Sequence, residues 1–236
     1  MLVFKGVKKE LGSFELGPID FEMESGMVLG LFGANGSGKT SLIKLISGED
    51  DIDDGTISFN GNFEYRNDLG YIPAYFPFEN FRSLKEVKRF YQLIYPGFDK
   101  LILNELLDQF DLSLNLKPKS LSLGMRQKFM LALVLSLGVR LIVMDEPTEG
   151  LDFFTKHEIF VVLRDYLYET NATVVIATHE LESYESIVDY AMYLEKGEVL
   201  LASDMTRFIE KGSQYVKGAV DLKSFAYLRQ KEQADD

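Results

Sequence analysis

A glycine-rich segment near the N-terminus carries the residue types that bind phosphate. Eight consecutive residues match the pattern G-x-x-x-x-G-K-[ST]: Gly33, Ala34, Asn35, Gly36, Ser37, Gly38, Lys39 and Thr40. The glycines let successive backbone N–H groups point at phosphate oxygens, Lys39 adds a positive charge, and Thr40 offers a hydroxyl to Mg²⁺. With Ser41, the next residue, this segment predicts a site for a nucleotide and Mg²⁺.

Two acidic residues stand at the end of a second apolar run. The run Leu141 to Met144 predicts a buried strand, and Asp145 and Glu146 follow it. Taken alone, the acid pair is equally typical of an ordinary loop start. Because the pair follows a phosphate loop in this chain, we predict that Asp145 binds Mg²⁺ either directly or through the other ligands of the ion. We also predict that Glu146 polarises a water.

The elements around the loop come in the order that phosphate binding requires. Met27 to Phe32 predicts a buried strand, and Lys39 to Ile46 predicts a helix that Gly48 ends. Further along, apolar runs such as Thr173 to Ala177 alternate with stretches of helical period. This alternation is typical of a mostly parallel α/β sheet covered by helices.

The middle of the chain predicts helices. Ser83 and Glu86 form a candidate capping box that opens a helical group extending through residues 100 to 110, and a further helix is expected from about Ser122 to Leu137. Near the C-terminus, Tyr190 to Leu194 and Val199 to Ala202 predict a hairpin. The chain after Gly212 is polar and weakly patterned.

Five motifs in this order make the chain resemble ABC-family ATPases from about Val3 to Ser203. They are the phosphate loop at 33–40, a signature-like Leu121, Ser122, Leu123, Gly124 and Met125, the acid pair Asp145 and Glu146, the D-loop Gly150, Leu151 and Asp152, and the switch histidine His179. A kinase or GTPase shares the loop, but the sequence has no N-K-x-D motif.

The resemblance implies an α/β fold in one cassette spanning residues 1–236. It implies a P-loop NTPase core with a mostly parallel sheet, at about 1–75 and 138–212, and an antiparallel β part near the N-terminus. An α-helical subdomain would be inserted at about 76–137, and residues 213–236 would form a C-terminal tail.

The resemblance also implies how the site works. Two cassettes would sandwich two ATP molecules, with Ser122 and Gly124 of one reaching the γ-phosphate held by the other, and with Asp152 in the D-loop beside them. His179 would contact the γ-phosphate and the attacking water. Glu146, His179 and Lys39 would be the catalytic residues.

The sequence departs from the family pattern in places. Ala74 stands where the family usually has a glutamine that contacts Mg²⁺ and water; Glu79 or Asn80 replaces it, a water does, or turnover is weakened. Leu123 and Met125 replace a glycine and a glutamine of the signature.

Two aromatic features have alternative interpretations. The resemblance implies an aromatic residue that stacks on adenine, and Phe14 is the best candidate, although Leu11 fits an alternative register and Phe14 could equally be a core residue. The cluster Tyr71, Tyr75, Phe76, Phe78 and Phe81 is either core or, as the family position implies, a contact with the membrane subunit.

Composition bounds the class of protein. The 236 residues carry a net charge of −12, which makes nucleic acid a disfavoured partner, and include no cysteine and only two histidines. The longest apolar run, Phe129 to Val139, falls short of the roughly 20 residues of a spanning helix, and no secretory signal precedes it. We therefore expect a cytoplasmic protein that does not cross a membrane by itself. The resemblance implies that it is peripheral on the inner face of the cell membrane through a permease.

By resemblance, the first hypothesis is the ATP-hydrolysing subunit of a transporter, most similar to bacterial exporters with a separate transmembrane permease. A second cassette would complete it as a homo- or heterodimer. The alternatives are a soluble ABC ATPase with a regulatory or scaffold role, and a cassette that binds ATP with impaired hydrolysis.

Overall fold

Two sheets form the framework of the computed structural model, which describes residues 1–179, 184 and 186–215. The antiparallel sheet contains β1 (Leu2–Leu11), β2 (Phe14–Met23) and β4 (Asp54–Phe59), in the order β2-β1-β4. The larger sheet has the order β5-β6-β7-β3-β8-β9, and its strands are β3 (Val28–Phe32), β5 (Leu69–Ile72), β6 (Leu141–Asp145), β7 (Thr173–Ala177), β8 (Tyr190–Glu195) and β9 (Glu198–Asp204). Its neighbours are parallel except β8 and β9. The predicted fold class is confirmed.

Helices cover the sheets and connect the strands. They are α1 (Lys39–Ser47), α2 (Leu84–Ile94), α3 (Lys100–Gln109), α4 (Leu123–Leu135), α5 (Phe153–Thr170) and α6 (Met205–Tyr215). Short 3-10 helices lie at Tyr65–Asp68 and Pro118–Ser120. In the described ranges no helix combines the length and the hydropathy needed to cross a bilayer.

The centre of the larger sheet places three strand ends at one edge. All residues of β3, β6 and β7 are buried, because α1 and the antiparallel sheet pack on one face of the sheet and other helices pack on the opposite face. Leu31 and Asp145 both lie opposite Ala177 in the parallel register. The segments that follow these three strands therefore leave the sheet side by side, where ligands bind in open α/β folds.

The helical part between β5 and β6 begins at the predicted capping box. Ser83 Oγ accepts the Glu86 N–H at 3.3 Å, and Glu86 Oε2 accepts the Arg82 N–H at 2.7 Å. The helical group is divided, because the Pro96-Gly97 pair interrupts it and Asp99 caps α3. Helices α2, α3 and α4 occupy the range assigned to the helical subdomain, whose boundaries stay a prediction.

The C-terminal part differs from the sequence prediction at one point. Helix α6 continues past Gly212 to Tyr215, so the predicted start of a tail at residue 213 falls inside a helix. Residues 216–236 lie outside the described part of the chain. The β8–β9 hairpin is confirmed, with Lys196 and Gly197 both at positive φ in its turn.

Candidate nucleotide-binding site

The phosphate loop connects β3 to α1, and its shape depends on glycine. Gly33 has φ +149°, and a Cβ there would lie 2.2 Å from the Leu194 carbonyl oxygen and 2.5 Å from Ser37 Oγ. Gly38, at φ +111°, precedes α1 and supplies no side-chain acceptor to the first turn of the helix. The N–H groups of that turn are therefore left for an anion.

Lys39 lies inside the curl of the loop. Its side chain is 6% exposed, and Nζ donates to the carbonyl oxygens of Gly33 at 2.9 Å and Ala34 at 3.2 Å. Burial lowers the pKa of Lys39, while the nearby carboxylates, Glu146 first, raise it. The loop thus holds a cationic group among its own backbone dipoles.

Thr40 and Asp145 form a pair of oxygen ligands beside the lysine. The Thr40 hydroxyl donates to Asp145 Oδ1 at 3.4 Å, and Asp145 is 3% exposed at the end of β6. A hydroxyl and a buried carboxylate suit Mg²⁺, which keeps several waters and phosphate oxygens as its other ligands. In the described residues no three histidine, cysteine or acidic side chains are grouped so that they could hold a metal ion.

Glu146 and His179 meet across the ends of β6 and β7. Glu146 Oε1 lies 3.0 Å from His179 Nδ1, and Glu146 Oε2 accepts the His179 N–H at 3.3 Å. The Glu146 N–H donates to the Ala177 carbonyl at 2.8 Å, and Glu146 has φ +47°, which is unusual for a residue other than glycine. The sequence predicted both residues but not their pairing.

Most of the predicted site residues line one cavity of about 360 Å³. Its lining consists of Phe14, Asn35, Gly36, Gly38, Lys39, Thr40, Ser41, Ala74, Asp145, Glu146, Glu149 and His179. Gly33, Ala34 and Ser37 belong to the phosphate loop but are not among the lining residues. Glu149 was missed by the sequence analysis, and its signal was a third carboxylate closely following Asp145 and Glu146.

The cavity favours one of the two adenine candidates. Phe14 lies at its wall, and a Cβ on Gly38 would come 3.2 Å from the Phe14 ring. Leu11 is not among the lining residues. Phe14 therefore has the position that the stacking assignment needs, and that assignment stays a prediction.

Ala74 places a methyl group at the cavity wall, and the proposed substitutes lie elsewhere. Glu79 forms an ion pair with Arg126 at 3.0 Å and lines a neighbouring groove instead. Neither Glu79 nor Asn80 is among the residues that line the cavity. The replacement of the glutamine by Glu79 is thus not supported by the position of its side chain.

The signature and D-loop residues lie together, away from the Lys39 cavity. Ser122 caps α4 and accepts the Met125 N–H at 3.2 Å, while Asp152 caps α5 through the N–H groups of Phe154 and Thr155, both at 3.0 Å. A Cβ on Gly124 would lie 2.9 Å from Thr155 Cγ2. Ser122, Gly124 and Asp152 therefore form one surface, and their assignment to a second cassette's nucleotide stays a prediction.

Comparison with known sequences identifies related proteins. The family model described as ABC transporter matches residues 16–149. The chain is similar to the ABC transporter ATP-binding protein YtrB of Bacillus subtilis (strain 168), with 32% identity over 87% of this chain and 71% of that protein. It is also similar to the methionine import ATP-binding protein MetN of Clostridioides difficile (strain 630), with 29% identity over 95% of this chain and 75% of MetN.

Solved structures share the fold. An ATP-binding subunit of an ABC transporter superposes with a TM-score of 0.83 at 26% identity, covering 97% of this chain and 99% of that one. A dimeric ATP-binding cassette in a post-hydrolysis state, bound to ADP and Pi, superposes with a TM-score of 0.76 at 24% identity, covering 86% of this chain and 98% of that one.

Replacing Asp145 with asparagine should stabilise the protein near neutral pH. Burial raises the pKa of the Asp145 carboxyl above its ordinary value, so between the two values the folded state binds more protons than the unfolded state. The free energy of unfolding then falls as pH rises through that window, and the cost of the buried charge is complete above it. The urea midpoint of Asp145→Asn, measured without nucleotide, should exceed that of the wild type at neutral pH and approach it in acid.

Asp152 provides a control of opposite sign. Hydrogen bonds, first from the Thr155 side chain, hold the pKa of Asp152 below its ordinary value. Its carboxylate therefore stabilises the fold above the unfolded-state pKa, and Asp152→Asn should lower the urea midpoint at neutral pH. An Asp145→Asn midpoint below that of the wild type would contradict the proposed burial cost.

Proposed function

Because this chain belongs to the ABC transporter family, we propose that it is the ATP-binding and ATP-hydrolysing subunit of a transporter and powers a separate transmembrane permease. The observation that carries the proposal is the meeting of Lys39, Thr40, Asp145, Glu146 and His179 in one cavity. YtrB and MetN are named as ATP-binding proteins, which supports this assignment.

The loop and the lysine would hold the phosphates. Backbone N–H groups at the start of α1 and the Lys39 ammonium offer positive charge to the β- and γ-phosphate oxygens. The Lys39 ammonium would exchange its bonds to the Gly33 and Ala34 carbonyls for bonds to phosphate. Phe14, which also lines the cavity, would stack on the adenine.

Mg²⁺ would be held by Thr40 and Asp145. Their oxygens lie 3.4 Å apart, and within the described part of the chain the buried Asp145 carboxylate takes part in no ion pair, which favours a divalent ion beside it. When bound, Mg²⁺ supplies positive charge to the phosphate oxygens on which negative charge builds up.

Glu146 would orient the attacking water and accept its proton. The water oxygen forms a bond to the γ-phosphorus, the bond to the bridging oxygen breaks, and ADP departs with that oxygen. His179 holds the Glu146 carboxylate through its backbone N–H and its ring, which restricts the carboxylate to one orientation.

A second cassette would complete the site through the surface around the signature. Leu123, Phe153 and Phe154 are 48%, 75% and 78% exposed on this surface, and Leu123 lies beside Gly150. Exposed apolar side chains that lie together mark sites of protein association. The dimeric post-hydrolysis cassette that shares this fold supports such a pairing.

The permease would dock in a groove of about 410 Å³ beside the cavity. Its lining combines Ala74, Tyr75, Phe76, Glu79, Leu123, Arg126, Gln127 and Met130. The aromatic cluster divides accordingly, since Phe78 is buried in the core and Tyr75 is 61% exposed at the groove. This docking places the protein at the inner face of the membrane.

The competing functions have weaker support. A net charge of −12 disfavours a role on nucleic acid, where clustered lysines and arginines are required. The hypothesis of a cassette that only binds ATP rests on Ala74, whereas the 3.0 Å contact between Glu146 and His179 in the cavity supports hydrolysis. MetN is named as a methionine import protein, but ATP would drive the permease in the same way in either direction of transport.

Glu146→Gln should bind ATP and dimerise but hydrolyse slowly. The amide cannot accept the proton of the water, and loss of a general base lowers the rate about 10²- to 10⁴-fold. Phosphate release measures the rate and calorimetry measures ATP affinity, with the exposed Glu169→Gln at the far end of α5 as the control. Unchanged phosphate release by Glu146→Gln would refute the role of Glu146.

Phe153→Ser combined with Phe154→Ser should weaken ATP-dependent dimerisation. Both rings lose solvent contact if the surface pairs with a second cassette, and the serines remove that apolar burial. Sedimentation of the Glu146→Gln protein with ATP measures the dimer fraction. Tyr168→Ser is the control, because Tyr168 is 92% exposed near the other end of α5. Equal dimer fractions in the Glu146→Gln protein and in its derivatives with the two phenylalanine substitutions or with Tyr168→Ser would place the interface elsewhere.

Tyr75→Asp should release the protein from membranes without affecting its affinity for ATP. A carboxylate in the aromatic wall of the groove opposes the burial that docking requires. The fraction of the chain that co-sediments with membranes of the source cells measures docking. Leu93→Asp on α2, where Leu93 is 85% exposed, is the control. Equal release by both variants, or by neither, would contradict the assignment of the groove.

A further inference from the structure

Glu149 is a carboxylate in the nucleotide cavity with no role in the function proposed above. It lines the cavity together with Lys39, Asp145 and Glu146. Its N–H donates to the Glu146 carbonyl at 3.3 Å, which fixes Glu149 in a turn directly after the end of β6. Gly150, at φ +70°, then turns the chain toward α5.

The other two carboxylates of the cavity have partners. Asp145 accepts from the Thr40 hydroxyl, and Glu146 accepts from His179. The side chain of Glu149 is exposed, and among the described residues no side chain forms a hydrogen bond or ion pair with it. A structural role for this carboxylate would need such a contact, so its charge is available to whatever enters the cavity.

The charge of Glu149 reaches the centre of the site. Glu149 and Lys39 line the same cavity of about 360 Å³, so the carboxylate and the ammonium face a common space. Opposite charges attract across several ångströms when part of the intervening space is protein. A phosphate group held by Lys39 would lie within the same range.

The lining of the cavity is therefore negative before a nucleotide enters. One lysine faces three carboxylates, whereas ATP is itself a polyanion. A divalent cation removes two negative charges from the nucleotide, and a bound cation is often the largest local charge of such a site. A third carboxylate in the lining would add to the electrostatic penalty for an uncomplexed triphosphate.

We propose that Glu149 is a specificity-determining residue whose carboxylate makes the cavity select the magnesium complex of ATP over free ATP. The inference rests on the proposed function, since it assumes that the triphosphate lies beside Lys39. Glu149 acts through its charge, so the proposal requires no direct contact between its carboxylate and the metal.

The test is to measure the Kd of a nonhydrolysable ATP analogue by calorimetry, once in excess Mg²⁺ and once in EDTA. Glu149→Gln should tighten binding in EDTA by about three- to tenfold and change binding in Mg²⁺ much less. The ratio of the Kd in EDTA to the Kd in Mg²⁺ should therefore fall. Glu169→Gln removes a carboxylate of the same type outside the cavity and should leave the ratio unchanged.

A conservative variant separates this role from a merely structural one. Glu149→Asp keeps a carboxylate at this position of the cavity lining. This variant should retain the wild-type ratio. A misfolded loop would instead weaken binding equally in Mg²⁺ and EDTA.

The outcomes are distinct. An unchanged ratio in Glu149→Gln, or equal weakening in both conditions, overturns the role of Glu149 and leaves the proposed function intact. Wild-type protein that binds the analogue in neither condition overturns the proposed function, and this inference with it.

Discussion

The burial of one ammonium group among backbone carbonyls is the constraint on which the rest of the site depends. Lys39 can stay charged there because Gly33 and Ala34 offer carbonyl oxygens and because carboxylates lie nearby. That arrangement requires a loop too tight for a side chain at Gly33. It also requires β6 to end beside the loop, so that Asp145 lies within reach of Thr40.

The loop is held by contacts that lie far away in sequence. The Gly197 N–H, in the β8–β9 turn, donates to the Ser37 carbonyl at 3.0 Å, and the Gly17 N–H donates to the Gly197 carbonyl at 2.8 Å. A Cβ on Gly197 would lie 1.9 Å from the Glu15 carbonyl oxygen. The antiparallel sheet, the hairpin and the phosphate loop are thus in contact, and such rigidity favours a site formed before its ligand arrives.

Local patterns made much of this site predictable. The phosphate loop, Asp145, Glu146 and His179 follow apolar runs whose strands are parallel, so their convergence follows from the rule for strand ends. The pairing of Glu146 with His179 depends on β6 and β7 being neighbours, which one-dimensional spacing does not determine. Spacing does not determine the position of Glu149 in the cavity either, because that position depends on a turn closed by the hydrogen bond from the Glu149 N–H to the Glu146 carbonyl. The break between α2 and α3 had a local signal in the sequence, the Pro96-Gly97 pair. The end of α6 at Tyr215, beyond Gly212, had no such signal.

The contact of Gly124 with Thr155 and of Leu123 with Gly150 has a mechanical consequence. These two contacts join the start of α4 to the chain that leaves β6, which carries Glu146 and Glu149. A displacement of α4 in the proposed dimer would therefore also displace the segment that carries Glu146, the residue proposed to orient the water.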